Sequence, residues 1–217
     1  MSTTSFGTGQ AAPPTEVVLT KTPAIADPAP LGLAAFALTT FLLSANNAHW
    51  TRGTVAWLGF ALAYGGLAQL LAGMWEFKNG NVFGATAFST YGGFWIGLAL
   101  YILLVVPDFK PTAAEVSNDL GWIVLAFLIF NSYMLLWSLF VNKAVFGVFL
   151  TLEVTEVLLV IGYLSSNTNM IKAGGVAGVV TAAVAWYASA AGVINGIHGR
   201  HVLFVGKPLT LGAGPSS

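Results

Sequence analysis

Cysteine is absent from the 217 residues, so disulfides and thiolate chemistry are excluded and the redox compartment is unreadable. Charge is nearly as scarce. Only 7% of residues are charged, where a soluble domain carries about a quarter. So few charges cannot coat a water-soluble fold, and a bilayer is the expected solvent. The eight basic and eight acidic residues cancel, which removes the positive surface that a nucleic-acid partner requires. Met1 to Pro30 has neither a basic start nor an apolar core, so it does not read as a secretory signal. Its Thr, Pro, Ala and Gly content predicts a disordered tail over 1–26, and a flexible tail is expected over 206–217. His49, His198 and His201 fall near the ends of apolar runs, without a carboxylate at metal-ligand spacing, so neither a metal centre nor a cofactor is expected. The apolar runs contain no Ser-Lys, His-Asp or metal constellation, which argues against an intramembrane enzyme.

What remains is hydrophobic: 56% of the chain. A helix needs roughly 20 apolar residues to cross a ~30 Å hydrocarbon core. Six such runs are readable, from Leu31 to Ala48, Val55 to Trp75, Phe83 to Val106, Leu120 to Val141, Val145 to Leu164 and Ala173 to Ile197. They predict an all-α membrane protein, a six-transmembrane-helix bundle over 27–205. Short links make neighbours antiparallel, with Pro107 to Asp119 as the one long loop. With the N-terminus in the cytoplasm, Lys21, Lys78, Lys143, Arg200 and Lys207 lie inside and Arg52, Lys110 and Lys172 outside, in line with the positive-inside tendency. An even number of spans returns the C-terminus to the same side.

The stretch Leu71 to Trp95 organises the chain. An apolar helix is expected to end at Trp75, followed by a polar patch of Glu76, Lys78, Asn79, Gly80 and Asn81. The next span then opens with small and hydroxylated residues, among them Thr86, Ser89, Thr90 and Tyr91. A span facing lipid alone needs few such groups, so this one reads as the wall of a polar path. Candidate donors along such a path are Thr39, Thr40, Gln69, Thr86, Ser89, Thr90, Tyr91, Asn131 and Thr155. No Lys or Arg falls in mid-span. Gly93/Gly97, Gly174/Gly178 and Gly192/Gly196 are small pairs four apart and suggest close helix contacts.

Glu153 and Glu156 stand in the middle third of the fifth span, where an ionised carboxylate is costly and usually functional. Helical spacing puts Leu152, Thr155, Glu156 and Leu159 on one face, with Glu153 at its edge. Two carboxyl groups this close repel one another, so at least one is expected to hold its proton near neutral pH. The alternative is structural: a glutamate hydrogen-bonded to Asn131 or to a neighbouring helix.

Several separated motifs resemble the succinate–acetate permeases, also called acetate uptake transporters. The signature N-P-A-P-L-G-L of that family stands here as Asp27-Pro28-Ala29-Pro30-Leu31-Gly32-Leu33, with Asp for Asn at its first position. Tyr64-Gly65-Gly66-Leu67-Ala68-Gln69 matches in the second span, and Glu76 to Trp95 matches nearly throughout. The resemblance implies a pore in each six-helix protomer, usually a homo-hexamer, in the plasma (cell inner) membrane, with acetate and, in some members, succinate as cargo. It further implies an apolar constriction from Phe36, Tyr91 and Leu152. Asp27 adds a negative charge near the mouth of an anion path, though Asp still caps a helix.

A carboxylate in hydrocarbon needs donors or must cross protonated. The expected function is therefore passage of short carboxylates, channel-like or proton-coupled through Glu153 and Glu156. The alternative is a six-helix channel for a neutral solute such as urea or an amide, which uses amides and hydroxyls but has no use for a titrating pair.

Overall fold

The computed structural model describes residues 25–53 and 55–210; of the tails expected over 1–26 and 206–217, residues 1–24 and 211–217 lie outside them. Six helices in this range are long and apolar enough to cross a membrane: α1 Ala29–Asn47, α2 Ala56–Asn79, α3 Val82–Phe109, α4 Ala113–Ser138, α5 Lys143–Leu164 and α6 Thr168–His198. No strand is present among the described residues.

The starts of α3, α5 and α6 are fixed by side-chain caps. Asn81 Oδ1 accepts from the Gly84 amide at 3.1 Å, Asn142 Oδ1 from Val145 at 2.9 Å, and Asn167 Oδ1 from Asn169 and Met170 at 3.0 and 3.2 Å. Each satisfies amides that the first turn leaves without a helical acceptor. Asp27 Oδ1 likewise accepts from the Ala29 amide at 2.9 Å, with Pro28 at the N-cap and Pro30 in the first turn of α1.

Two boundaries correct the hydropathy reading. α2 does not stop at Trp75. It continues to Asn79 and ends at Gly80, whose φ of 76° is the left-handed conformation that favours glycine. Glu76, Lys78 and Asn79 are therefore helical, and Glu76 is fully buried. α4 starts at Ala113 rather than Leu120, because Thr112 and Glu115 form a capping box that holds a polar first turn. The long loop from Pro107 to Asp119 thus shrinks to residues 110–112. Near that turn α3 adopts a π-helical stretch, Tyr101–Val105, just before Pro107, which cannot donate to the helix ladder. Tyr101 donates to Asp119 Oδ2 at 2.7 Å and ties the end of α3 to α4.

Consecutive helices pack side by side except α3 and α4, whose backbones lie further apart, and α6 closes back onto α1. The short links alternate direction, so α1, α3 and α5 run parallel. α2 carries a second π-helical stretch, Ala63–Ala68, immediately before Gln69. There Gly65 lies against Thr39 of α1; a Cβ would sit 2.7 Å from the Thr39 Cβ. The contact between α3 and α4 is made largely by aromatic side chains, with Phe94 and Phe127 at 4.6 Å between ring centroids. After α6 the chain folds back. Asn195 accepts from the Val202 and Leu203 amides, and Val205 O and Leu139 O accept from Ala144 and Leu209. Residues 206–210, at the start of the expected flexible tail, therefore lie along the α4–α5 turn.

Candidate functional site

Phe36 of α1, Tyr91 of α3 and Leu152 of α5 are buried together at the bundle centre. The Phe36 and Tyr91 rings meet edge-on, 5.5 Å apart at 64°. Phe94, Phe127 and Phe130 surround the rest of the Tyr91 ring. On one side of this layer lies a cavity of about 70 Å³, walled by apolar groups such as Leu33, Phe83, Phe88, Val148 and Phe149, with Gln69, Glu76 and Asn81 as its polar members. On the other side lies a cavity of about 290 Å³ with Thr40, Asn46, Asn47, Thr155, Glu156 and Tyr163 in its wall. Phe36, Tyr91 and Leu152 line both.

A polar chain runs behind the layer. The Tyr91 hydroxyl has two acceptors within reach, Asn131 Oδ1 at 3.2 Å and Glu156 Oε1 at 3.4 Å. Asn131 Nδ2 donates to Phe149 O at 3.0 Å and to Glu153 Oε2 at 2.6 Å, which fixes its oxygen toward Tyr91. Ser132 donates to Glu153 Oε1 at 2.8 Å. Both Glu153 oxygens are thus engaged by α4. Glu156 keeps one oxygen, Oε2, buried and without a partner. The two glutamates that look alike in the sequence are in different situations: Glu153 is bound into a helix contact and Glu156 faces the larger cavity.

The GPR1/FUN34/yaaH family profile matches residues 8–207. The chain belongs to that family. Among GPR1/FUN34/yaaH relatives, it is 44% identical over 187 residues to Acetate permease A of Emericella nidulans, covering 78% of this chain and 62% of that one. It is 37% identical over 183 residues to the succinate-acetate/proton symporter SatP of Escherichia coli K12, covering 84% of this chain and 96% of that one. It spans about three-fifths of the length of the fungal relatives it matches. The solved structure of the bacterial acetate channel SatP superposes with a TM-score of 0.78 at 36% identity, over 84% of this chain and 99% of that one. These relatives are named as transporters and a channel rather than as enzymes, and the protein is a multi-pass, all-α membrane protein of the same fold. The likeness to succinate–acetate permeases read from the motifs stands.

The family signature Asp27 to Leu33 opens α1, and Ala29 and Leu33 within it line the smaller cavity while Gly32 packs under the Phe88 ring. Of the donor candidates, Gln69 lines the smaller cavity, and Thr40 and Thr155 the larger. Thr155 also bonds Thr181 of α6 at 3.0 Å. Asn131 sits in the polar chain behind Tyr91. Thr39, Thr86, Ser89 and Thr90 line neither cavity. Thr39 donates to Ala35 O at 3.0 Å, and Ser89 faces Gly73 of α2. The reason is helical register: the lining positions of α3 are 83, 84, 87, 88, 91, 94, 95, 98 and 102, and 86, 89 and 90 fall between them.

Sequence reasoning missed Glu76 and Trp95. Glu76 was assigned to a polar patch outside the spans, yet it is fully buried with Oε1 unpartnered beside Gly84. Trp95 lines the larger cavity with its Nε1 unpartnered. The available signal was spacing, since Trp95 lies four residues beyond Tyr91. Of the glycine pairs, Gly174 and Gly178 pack tightly, the first against Leu159, whereas Gly93 and Gly97 face outward with nothing within 4 Å.

Proposed function

We propose that the protein carries acetate, and short carboxylates including succinate, across the plasma membrane along a path through both cavities, with Phe36, Tyr91 and Leu152 as its constriction. The observation that carries this reading is that the same three side chains wall both cavities. An anion pays heavily to leave water. An apolar ring flanked by sparse donors would strip its hydration shell without holding it tightly, as conduction demands. Gln69 would meet the carboxylate on one side of the ring, and Thr40 and Thr155 on the other.

Glu156 is the proton-linked group of this reading, because its free oxygen borders the path. Glu153 supports it by fixing Asn131, which in turn aims the Tyr91 hydroxyl. The termini face the cytoplasm, which puts Lys78, Lys143 and Lys207 around the mouth of the smaller cavity's side. Six copies assemble as a homo-hexamer within membrane lipid, and the outward Gly93 and Gly97 on α3 fit the close approach of a neighbouring helix.

Labelled acetate uptake into proteoliposomes, with and without an imposed proton gradient, tests the reading. Uptake above that of protein-free liposomes is expected. Accumulation beyond equilibrium identifies coupling, and simple equilibration identifies a channel. Uptake no faster than in empty liposomes, with rapid swelling in urea, overturns it in favour of a neutral-solute pore.

A further inference from the structure

One helical turn beyond Phe36, Tyr91 and Leu152, the same three helices carry Thr40, Trp95 and Glu156. Because α1, α3 and α5 run parallel, a step of four residues moves all three the same way, by about 6 Å along the helix axes. The three side chains are only 5%, 3% and 6% exposed. Each holds a buried polar atom without a hydrogen-bond partner: Thr40 Oγ1, Trp95 Nε1 and Glu156 Oε2. All three residues line the larger cavity. Buried polar groups in native proteins are nearly always paired. Three orphans at equivalent positions of three helices, around one cavity, point to a ligand that completes them.

We propose that Thr40, Trp95 and Glu156 form a binding subsite for a small monocarboxylic acid that arrives with one proton per molecule; the proposal rests on the acetate path above. An indole N–H only donates, and a threonine hydroxyl can donate. Glu156 Oε2 accepts when ionised and donates when protonated. A neutral acid places its carbonyl oxygen on Trp95 Nε1–H and Thr40 Oγ1–H and donates its own O–H to ionised Glu156. An anion takes the same two donors and a third hydrogen bond from protonated Glu156. Either way one proton lies between two carboxyl groups, and none is gained or lost as it shifts between them.

The surroundings leave that proton indispensable. The titratable groups around Glu156 are Tyr91 from α3 and Glu153 and Tyr163 from α5 itself. α1 and α6 bring Thr40 and Thr181, and α4 brings Asn131, all uncharged. No lysine, arginine or histidine lines the cavity among the described residues. Two ionised carboxylates would meet there with no cation between them, so the subsite admits substrate and proton together.

The test uses the full chain in proteoliposomes. Thr40→Val removes one donor at nearly constant volume, and Trp95→Phe removes one donor together with part of the indole's bulk. Each is expected to raise the half-saturation concentration for labelled acetate about tenfold, with an unchanged melting temperature for Thr40→Val. Glu156→Gln is expected to abolish proton movement accompanying acetate, read by an internal pH dye, and to flatten the pH dependence of half-saturation. On the wild type, methyl acetate keeps the carbonyl but has no O–H, and it is expected to compete with acetate at least about tenfold more weakly than propionate does. Folded variants with wild-type half-saturation, an unchanged proton-to-acetate ratio in Glu156→Gln, or equal competition by methyl acetate each overturn the subsite. A variant that fails to fold leaves the competition experiment to decide. Absence of acetate uptake by the wild type would instead overturn the path itself.

Discussion

The two cavities differ more than their shared wall suggests. The smaller has space for roughly two waters, in about 70 Å³ bounded mostly by phenylalanine, leucine and valine. The larger, at about 290 Å³, is also walled mostly by apolar side chains but adds the hydroxyls of Thr40, Ser44, Thr155 and Tyr163; each cavity has amides and one glutamate. On the proposed path, a small anion moving from the first to the second would leave a tight neck for a wider space with more hydroxyls, so the costly loss of hydration would fall on the tight side. The layer between them, one aromatic pair and a leucine, separates the two cavities.

Removing that layer is the strongest way to break the contrast. Phe36→Ala combined with Leu152→Ala should merge the cavities, and initial acetate flux should rise by about tenfold or more, since a barrier lowered by about 1.4 kcal/mol gives that factor. Flux measurements in proteoliposomes against empty liposomes check this. Next in size is Glu156→Gln. Acidification protonates the wild-type glutamate, so wild-type uptake should rise as pH falls. Glutamine stays neutral, so the variant should keep one rate across the range, a difference of a few-fold at alkaline pH, read from uptake at a series of external pH values. Persistence of the wild-type slope would remove Glu156 from the mechanism.

Glu76→Gln sharpens the comparison from the tight side. Glu76 is fully buried with one oxygen unpartnered, in contact with Asn79 Nδ2 at 3.4 Å. It lines the neck rather than the chamber. A smaller effect on the pH slope than that of Glu156→Gln, about two-fold at most, is expected if chamber and neck divide the work as described. The same uptake series measures it. The smallest effect belongs to Thr112→Ala, far from both cavities. It breaks the capping box of α4 and should lower stability by about 1 kcal/mol while leaving acetate flux unchanged. Thermal melting in detergent alongside flux reports both.

Hydropathy was enough to find all six spans, because crossing hydrocarbon demands long apolar runs whatever the tertiary packing. It failed where burial lets a polar side chain stay within a helix. Glu76 and Lys78 looked like a surface break, but α2 runs through them because Gly84 leaves room for the glutamate. The polar first turn of α4 was invisible for the opposite reason: a capping box stabilises residues that no apolar pattern marks. The face of α3 was the other loss. Thr86, Ser89 and Thr90 carry suitable chemistry, but only a known axis tells which third of a helix faces the centre. Motif likeness supplied Phe36, Tyr91 and Leu152, and their i+4 successors could then have been read by periodicity. Local spacing alone could not tell Glu153 from Glu156, since their separation rests on Asn131 and Ser132, about twenty residues away in the chain.

The returning C-terminal segment bears on how this protein can be handled. Val205 O receives the Ala144 amide at 2.9 Å, and the Leu209 amide reaches Leu139 O at 2.8 Å, so the segment splints the turn between α4 and α5. Fusion tags belong after Thr210, where they leave this splint whole. Shortening the chain before Val205 would strip the second residue of α5 of its acceptor and loosen the end of the helix that carries Leu152 and Glu156.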